Sequence, residues 1–381
     1  MLAIIVNELD VMGGTHKQVL RLCQYLEEKK TSYKIFTKRF DLTKTYPEFS
    51  GFDVEAPAFK ESPSNLFVKF LVDIYLQLVI FGKLARGYEI VNVHDNGFPL
   101  VIALSRLFGK RVYWQINDLP WVFSVGNSKD LNYSTVRRVY AYFARIFYRF
   151  VVARSVERIT VNVSKNRARV AEHLGVESEV YYCGVDVWDG PRVDRSIGRG
   201  GYRLLTSGVF FPYRNYETQL EIVKNLLSKG YDVKLNIIGS TALNPEYSTK
   251  IENLIHQSGL DGNVIIHGQV SHQKYQELHD SSNVFLFLNV DQSWGLSVFE
   301  AMSAGLPVIV SKSVGAVEIL HDYEDSIVVD PYDVEAVVES LEGLGSNELY
   351  RKLSTKGASY VRELTWDEMY SRRLCDLMEV F

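Results

Sequence analysis

The sequence predicts an α/β protein of two doubly wound domains facing each other across a central cleft, and three observations carry that prediction. At 381 residues the chain exceeds an ordinary single domain and suits two. Short apolar runs of strand length alternate with helical patterns, the grammar of mostly parallel sheets with right-handed crossovers. One stretch, 189–201 (DGPRVDRSIGRGG), interrupts the alternation with glycine, proline and charge and reads as an interdomain linker.

The elements follow in order. A strand at 2–6 runs into a loop with Gly13-Gly14 and then a helical pattern (Val19, Leu20, Leu22, Cys23, Leu26). Further strands are expected at 33–36, 89–93, 112–116, 158–163 and 180–182, with helices at 100–107 and 136–151. Segment 65–84 is the greasiest, but Lys69, Asp73 and Gln77 recur every fourth residue, which argues for an amphipathic or buried helix rather than a membrane span. After the linker, strands are expected at 204–206, 233–238, 264–266, 284–288 and 308–310. Helices are expected at 216–227, 247–258, 272–279, 295–304 and 334–344. A last amphipathic helix at 366–381 could pack back across the domains. The expected division is 1–190, a first Rossmann-like domain; 201–363, a second Rossmann-like domain; and 364–381, a helix that could return to the first.

Composition excludes several classes. Charged residues at 23% and hydrophobic ones at 46% are a globular balance, not a disordered one. A net charge of −4 is unlike a globally basic nucleic-acid binder. Cys23, Cys183 and Cys375 are odd in number and far apart, so they form neither a disulfide framework nor a zinc pattern and fit a reducing, cytoplasmic compartment. The apolar start at 1–6 is too short for a signal peptide.

Three constellations carry chemistry. Gly295 turns the chain into a helix whose first amides, Leu296 and Ser297, form an anion-ready N-terminus; Glu300 lies one turn further in, where a carboxylate can accept two ribose hydroxyls. The helix dipole alone would also favour an acid there. Second, 207–216 (SGVFFPYRNY) reads as strand end, tight loop and helix start, with Arg214 placed to fork a diphosphate; a solvated loop arginine is the plainer reading. Third, Gly13 and Gly14 permit close approach of backbone and ligand. Their spacing is not the dinucleotide fingerprint GxGxxG, and no P-loop is present.

These residues carry a resemblance. The block 292–311 (QSWGLSVFEAMSAGLPVIVS) resembles the E-x7-E region of family 4 glycosyltransferases, retaining enzymes of GT-B fold with two Rossmann-like domains. Gly13-Gly14, Val163-Ser164, Cys183-Gly184-Val185-Asp186, Ser207-Gly208 through Arg214-Asn215, Ile238-Gly239 and His267-Gly268-Gln269-Val270 agree with it in order along nearly the whole chain. The resemblance implies a UDP- or GDP-sugar donor as substrate, with no tightly bound cofactor and no metal. It implies donor contacts at Gly13, Gly14, Gly208, Arg214, Gly239, Gln269, Val270, Leu296, Ser297 and Glu300. The loops at 238–240 and 268–270 would meet the base largely through backbone.

The chain also departs from the family pattern. Gln292 replaces the first motif acid, keeping its reach but not its charge. Val209 stands where an arginine is usual, which leaves Arg214 as the diphosphate cation. Asn117-Asp118 stands where the family has His-Asp, so His94, with Asp95 one strand earlier, is the nearest histidine, and a hydrogen-bonded strand-end histidine is the alternative for it. Donors aimed at the diphosphate lower the barrier most. The resemblance implies a front-face substitution in which the leaving phosphate accepts the acceptor proton, with Asp118 as a candidate acceptor-side base. A hydrolysing epimerase of the same fold and a non-catalytic binding protein are the alternatives.

The mean charge hides one asymmetry. Segment 131–170 has nine basic residues against Glu157 alone, a net charge of +8. Within it 137–149 (RRVYAYFARIFYR) interleaves arginines with aromatics at helical spacing. Such a helix suits an anionic membrane surface at the inner face and a lipid-linked or glycan acceptor; it could equally be a solvated helix flanking the sheet. No RNA-binding motif accompanies it, so nucleic acid is not expected as a partner.

Overall fold

A computed structural model describes residues 1–57, 65–123, 135–188, 190, 195–197, 201–291 and 294–381. By contacts the chain divides into two compact units, Met1–Gly184 with Trp366–Phe381, and Val185–Thr365. Most of the 189–201 stretch expected as linker lies outside the described residues. The division itself falls just ahead of it. Val185 N–H donates to Leu364 O at 2.8 Å and so belongs with the second unit. Gly184 lies so close to the Trp366 backbone that a Cβ would sit 2.2 Å from its Cα.

The first unit runs β1 (Leu2–Leu9), α1 (Gly14–Glu28), β2 (Tyr33–Phe40), β3 (Val54–Glu55), α2 (Leu66–Leu84), β4 (Ile90–His94) and α3 (Pro99–Leu107). It continues with β5 (Arg111–Ile116), α4 (Thr135–Phe147), β6 (Arg158–Val161), α5 (Ser164–Leu174) and β7 (Glu179–Val180). The strands form one parallel sheet in the order β3-β2-β1-β4-β5-β6-β7. Its strands read as near-continuous apolar runs because both faces are covered, with Ala3, Ile5, Val91, Val93, Val112 and Trp114 in the core. The helix expected at 136–151 ends as α4 at Phe147, and Tyr148–Val152 continues as a π-helical turn. The last strands are shorter than their apolar runs suggested, stopping at Val161 and Val180.

The second unit runs β8 (Tyr202–Ser207), α6 (Tyr216–Ser228), β9 (Val233–Ile238), α7 (Pro245–Gln257), β10 (Val264–Gly268), α8 (His272–Asp280) and β11 (Val284–Phe287). Then come α9 (Leu296–Ser303), β12 (Val308–Ser311), β13 (Ile327–Val329), α10 (Val334–Gly343) and α11 (Asn347–Val361). The sheet order is β10-β9-β8-β11-β12-β13, again parallel, over a core that includes Leu204, Ile237, Leu286 and Ile309. The terminal helix of the first unit is a π-helical turn at Asp367–Ser371 followed by α12 (Arg372–Met378).

Both sheets reverse their strand order once, between β1 and β4 in the first unit and between β8 and β11 in the second. Loops leaving the carboxyl ends of such a pair diverge to opposite faces and open a crevice between them. Gly13-Gly14 and Asp95 follow β1 and β4; Gly208 and 288–297 follow β8 and β11.

Candidate active site

In the second unit the edge of the sheet is extended by backbone alone. Gly208 N–H donates to Ile238 O at 2.8 Å, Gly239 N–H to Gly268 O at 2.9 Å, and Phe210 N–H to Ser240 O at 3.1 Å. Three loops are thereby laced side by side. Gly208 and Gly239 have φ of +155° and +152°, a region closed to side chains, and a Cβ on Gly239 would lie 1.9 Å from Gly208 O. The sequence needs glycine at both places for a contact that only the fold reveals.

Arg214 rests on this platform. A Cβ on Gly208 would meet its guanidinium carbon at 2.5 Å, so the missing side chain is the seat of the cation. The guanidinium also lies 5.2 Å from the Tyr213 ring centre and 6.0 Å from that of Phe287. Among the described residues no carboxylate pairs with it, and its buried Nε has no hydrogen-bond partner. The next residue holds it there. Asn215 takes a left-handed conformation (φ +54°), secured by Nδ2 donating to Pro331 O at 2.7 Å and by Thr218 Oγ1 donating to its Oδ1 at 2.8 Å. Tyr213 O accepts from Val290 N–H at 2.7 Å, tying this loop to the one after β11.

The loop after β11 ends at Gly295, left-handed at φ +95°, which opens α9. A Cβ there would press Phe287 Cε1 at 3.0 Å and Val314 Cγ1 at 3.1 Å. Phe287 therefore sits between Gly295 and Arg214, and the N-terminus of α9 lies at the same end of the sheet as the cation. Leu296 and Ser297, in its first turn, are half-buried. Glu300 accepts a hydrogen bond from Tyr275 Oη at 2.7 Å. Tyr275 packs in turn on His279, ring centres 4.2 Å apart, and burial holds that imidazole neutral. The Arg195 side chain, 5% exposed, caps the carboxyl ends of both helices involved, donating to Ala304 O at 2.7 Å and His279 O at 3.3 Å. Tyr275 and Arg195 lie in a polar helix and a basic linker, with no sequence signal to set them apart. Gln269 is exposed and Val270 half-buried just past Gly268, on the outer side of the laced loops. Gln292 lies outside the described residues.

The first unit's edge is built differently. Gly13 is extended (φ −147°) and caps α1, which starts at Gly14. Thr15 Oγ1 donates to Asp95 Oδ2, and Asp95 Oδ1 accepts from Asn117 N–H at 2.8 Å. Asn117 Nδ2 donates to Thr15 Oγ1 at 3.1 Å and Gln18 Oε1 at 2.8 Å, and Gln18 Nε2 points at Cys183 Sγ at 3.6 Å. Burial pushes the Asp95 carboxyl above its usual range, and the residue is left-handed at φ +55°. Asp118 is exposed, its carbonyl accepting from Asn96 Nδ2 at 2.9 Å. His94 corrects the expectation of a histidine beside the donor. It is fully buried, Nε2 meets Asn92 Oδ1 at 2.7 Å, and desolvation holds its pKa down at about 3, so it stays neutral inside the sheet. Among the described residues no group of three or more His, Cys, Asp or Glu side chains is arranged to hold a metal ion.

Two Rossmann-like units, each with a glycine loop at the reversal of its strand order, define a GT-B glycosyltransferase architecture. Residues 12–188 match the family model described as Glycosyltransferase Family 4 and residues 193–360 that described as Glycosyl transferases group 1; the chain belongs to glycosyltransferase family 4. The capsular polysaccharide biosynthesis glycosyltransferase CapM of Staphylococcus aureus is 28% identical over 163 residues, 40% of this chain and 40% of that one. The D-inositol 3-phosphate glycosyltransferase of Xylanimonas cellulosilytica is 26% identical over 138 residues, 36% of this chain and 33% of that one. The matches therefore span well under half the length of these curated relatives. In fold, HepE of Anabaena in complex with UDP-glucose superposes with a TM-score of 0.77 over 100% of both chains at 12% identity. Sucrose-phosphate synthase from Thermosynechococcus elongatus gives 0.77 over 99% of this chain and 98% of that one at 18% identity.

Proposed function

We propose that the protein is a retaining, metal-independent glycosyltransferase that moves a sugar from a UDP- or GDP-sugar to a glycan or lipid-linked acceptor in surface-glycan synthesis. The observation that carries this reading is Arg214. A half-buried cation seated on Gly208 with no carboxylate partner among the described residues, at the same sheet end as a helix N-terminus, suits a diphosphate. Glu300, oriented by Tyr275, supplies an acceptor for ribose hydroxyls. The bond from the anomeric carbon to the phosphate oxygen breaks, the acceptor oxygen bonds to the same face, and its proton passes to the leaving phosphate. Arg214 and the amides of Leu296 and Ser297 stabilise the charge that develops there. Gly13 and Gly14 admit the donor closely, Gln269 and Val270 flank the base, and Gln292 meets the sugar hydroxyls. Asp118 serves the acceptor side. HepE bound to UDP-glucose and CapM of capsule synthesis support a UDP-sugar and a polysaccharide product.

The acceptor side brings a membrane. Segment 135–154 has five arginines and no acid, and Arg137 and Arg138 are exposed, which favours contact of 137–149 with an anionic inner leaflet. Calorimetric titration with UDP, GDP and their sugar conjugates tests the donor reading. One nucleotide should bind, and Glu300→Ala should weaken it at least about ten-fold. Wild-type protein that binds neither nucleotide would refute the reading.

A further inference from the structure

More than half of the large apolar side chains exposed among the described residues fall between Val68 and Val151. Helix α2, expected to be amphipathic or buried, leaves Phe70, Leu71 and Tyr75 in the open, Tyr75 at 60% exposure. Helix α4 does the same with Tyr142 at 62% and Phe143 at 63%. The two helices are joined by rings: Phe70 meets Tyr140 edge-on at 5.8 Å, and Trp121, 48% exposed, stacks on Tyr140 at 5.8 Å. Single exposed apolar residues are ordinary, but a joined face of this kind marks a docking surface.

Its charge decides what docks. The α4 side of the face is wholly basic, and two copies packed on it two-fold would bring like charges together. An anionic lipid leaflet complements it, and exposed Trp and Tyr beside apolar residues match the layer between headgroups and acyl chains. Helix α2 adds apolar surface rather than charge: it holds Lys69, Lys83 and Asp73, and Asp73 pairs with Lys38. No helix among the described residues is long and apolar enough to cross a membrane.

We propose that α2, Trp121 and α4 form one wedge that enters the headgroup layer of an anionic leaflet, α2 and Trp121 adding apolar insertion to the attraction of the α4 arginines. The proposal rests on the lipid-contact part of the proposed function and is independent of the donor site.

Trp121 is a built-in probe, since Trp114, Trp294 and Trp366 are buried and Trp188 is half-buried in the second unit. The intact protein is mixed with vesicles of phosphatidylcholine and phosphatidylglycerol whose acyl chains carry bromine. Insertion predicts quenching of a fluorescence component that Trp121→Phe removes, and binding that persists in part at about 0.5 M salt, where surface attraction is screened. Arg137→Ser with Arg138→Ser should remove the salt-sensitive part. Leu71→Ser with Phe143→Ser should weaken partitioning about ten-fold or more while leaving nucleotide affinity unchanged. Binding wholly lost in high salt with Trp121 unquenched would overturn the wedge and leave only surface attraction. A dimer in solution that Leu71→Ser with Phe143→Ser dissociates would assign the face to a second copy. Wild-type protein that inserts yet binds no nucleotide would refute the donor reading and leave the wedge standing.

Discussion

The carboxyl edges of the two sheets are built to opposite ends around the same reversal of strand order. In the second unit, backbone does the structural work: Gly208, Gly239 and Gly268 lace three loops together, and Arg214 is left without an ion pair among the described residues. In the first unit, side chains do it: Thr15, Gln18, Asp95 and Asn117 satisfy one another beneath the Gly13–Gly14 loop. An edge held by backbone keeps its side chains for a ligand. An edge held by side chains is rigid, but its polar groups are committed, and a buried polar network tolerates little change.

The comparison can be broken at several points. The largest effect should come from Gly239→Ala, whose Cβ would collide with Gly208 O at 1.9 Å. A loss of about 3 kcal/mol or more in urea unfolding, together with lost nucleotide binding, is expected; a neutral outcome would mean the loops are not laced. Next, Arg214→Ala should lower turnover about 100-fold or more, with Arg214→Lys recovering part of it. Wild-type turnover in Arg214→Ala would hand the diphosphate to another group.

The first unit offers a test by pH. The folded chain keeps His94 neutral down to about 3, whereas the unfolded imidazole ionises near 6.5. Between those values the unfolded chain binds the extra proton, so this contribution to stability is complete above the higher value and is lost as pH falls through the window. The stability curve should slope by up to about 1.4 kcal/mol per pH unit there, and His94→Leu should flatten it. A slope that survives in His94→Leu would place the buried proton site elsewhere. The smallest effect is expected from Tyr275→Phe. Losing one hydrogen bond to Glu300 should weaken nucleotide binding by about 1–2 kcal/mol with stability nearly intact. An unchanged affinity would show that Glu300 holds its position without Tyr275.

Much of this was legible in the sequence. Alternating apolar runs announced both parallel sheets, and Gly295 announced the start of α9 within one residue. Helix α11 was not legible, because the run from Asn347 to Val361 is mostly polar and carries Gly357. That glycine fits because a Cβ there would sit 3.0 Å from Asp325 O, a tertiary fact. Tyr275 and Asp95 were invisible as partners for the same reason: their hydrogen bonds reach Glu300 and Thr15, 25 and 80 residues away.

The sequence by itself determined the two-sheet architecture, the loops that carry glycine and the place of Arg214 just ahead of α6, because periodicity and turn chemistry act over a few residues. Tertiary structure alone decided that His94 is a buried neutral prop, that Tyr275 holds Glu300, and that α2 turns an apolar face outward beside α4. Burial, hydrogen-bond partners and exposed faces are set by what packs from distant parts of the chain, and local pattern holds no record of it.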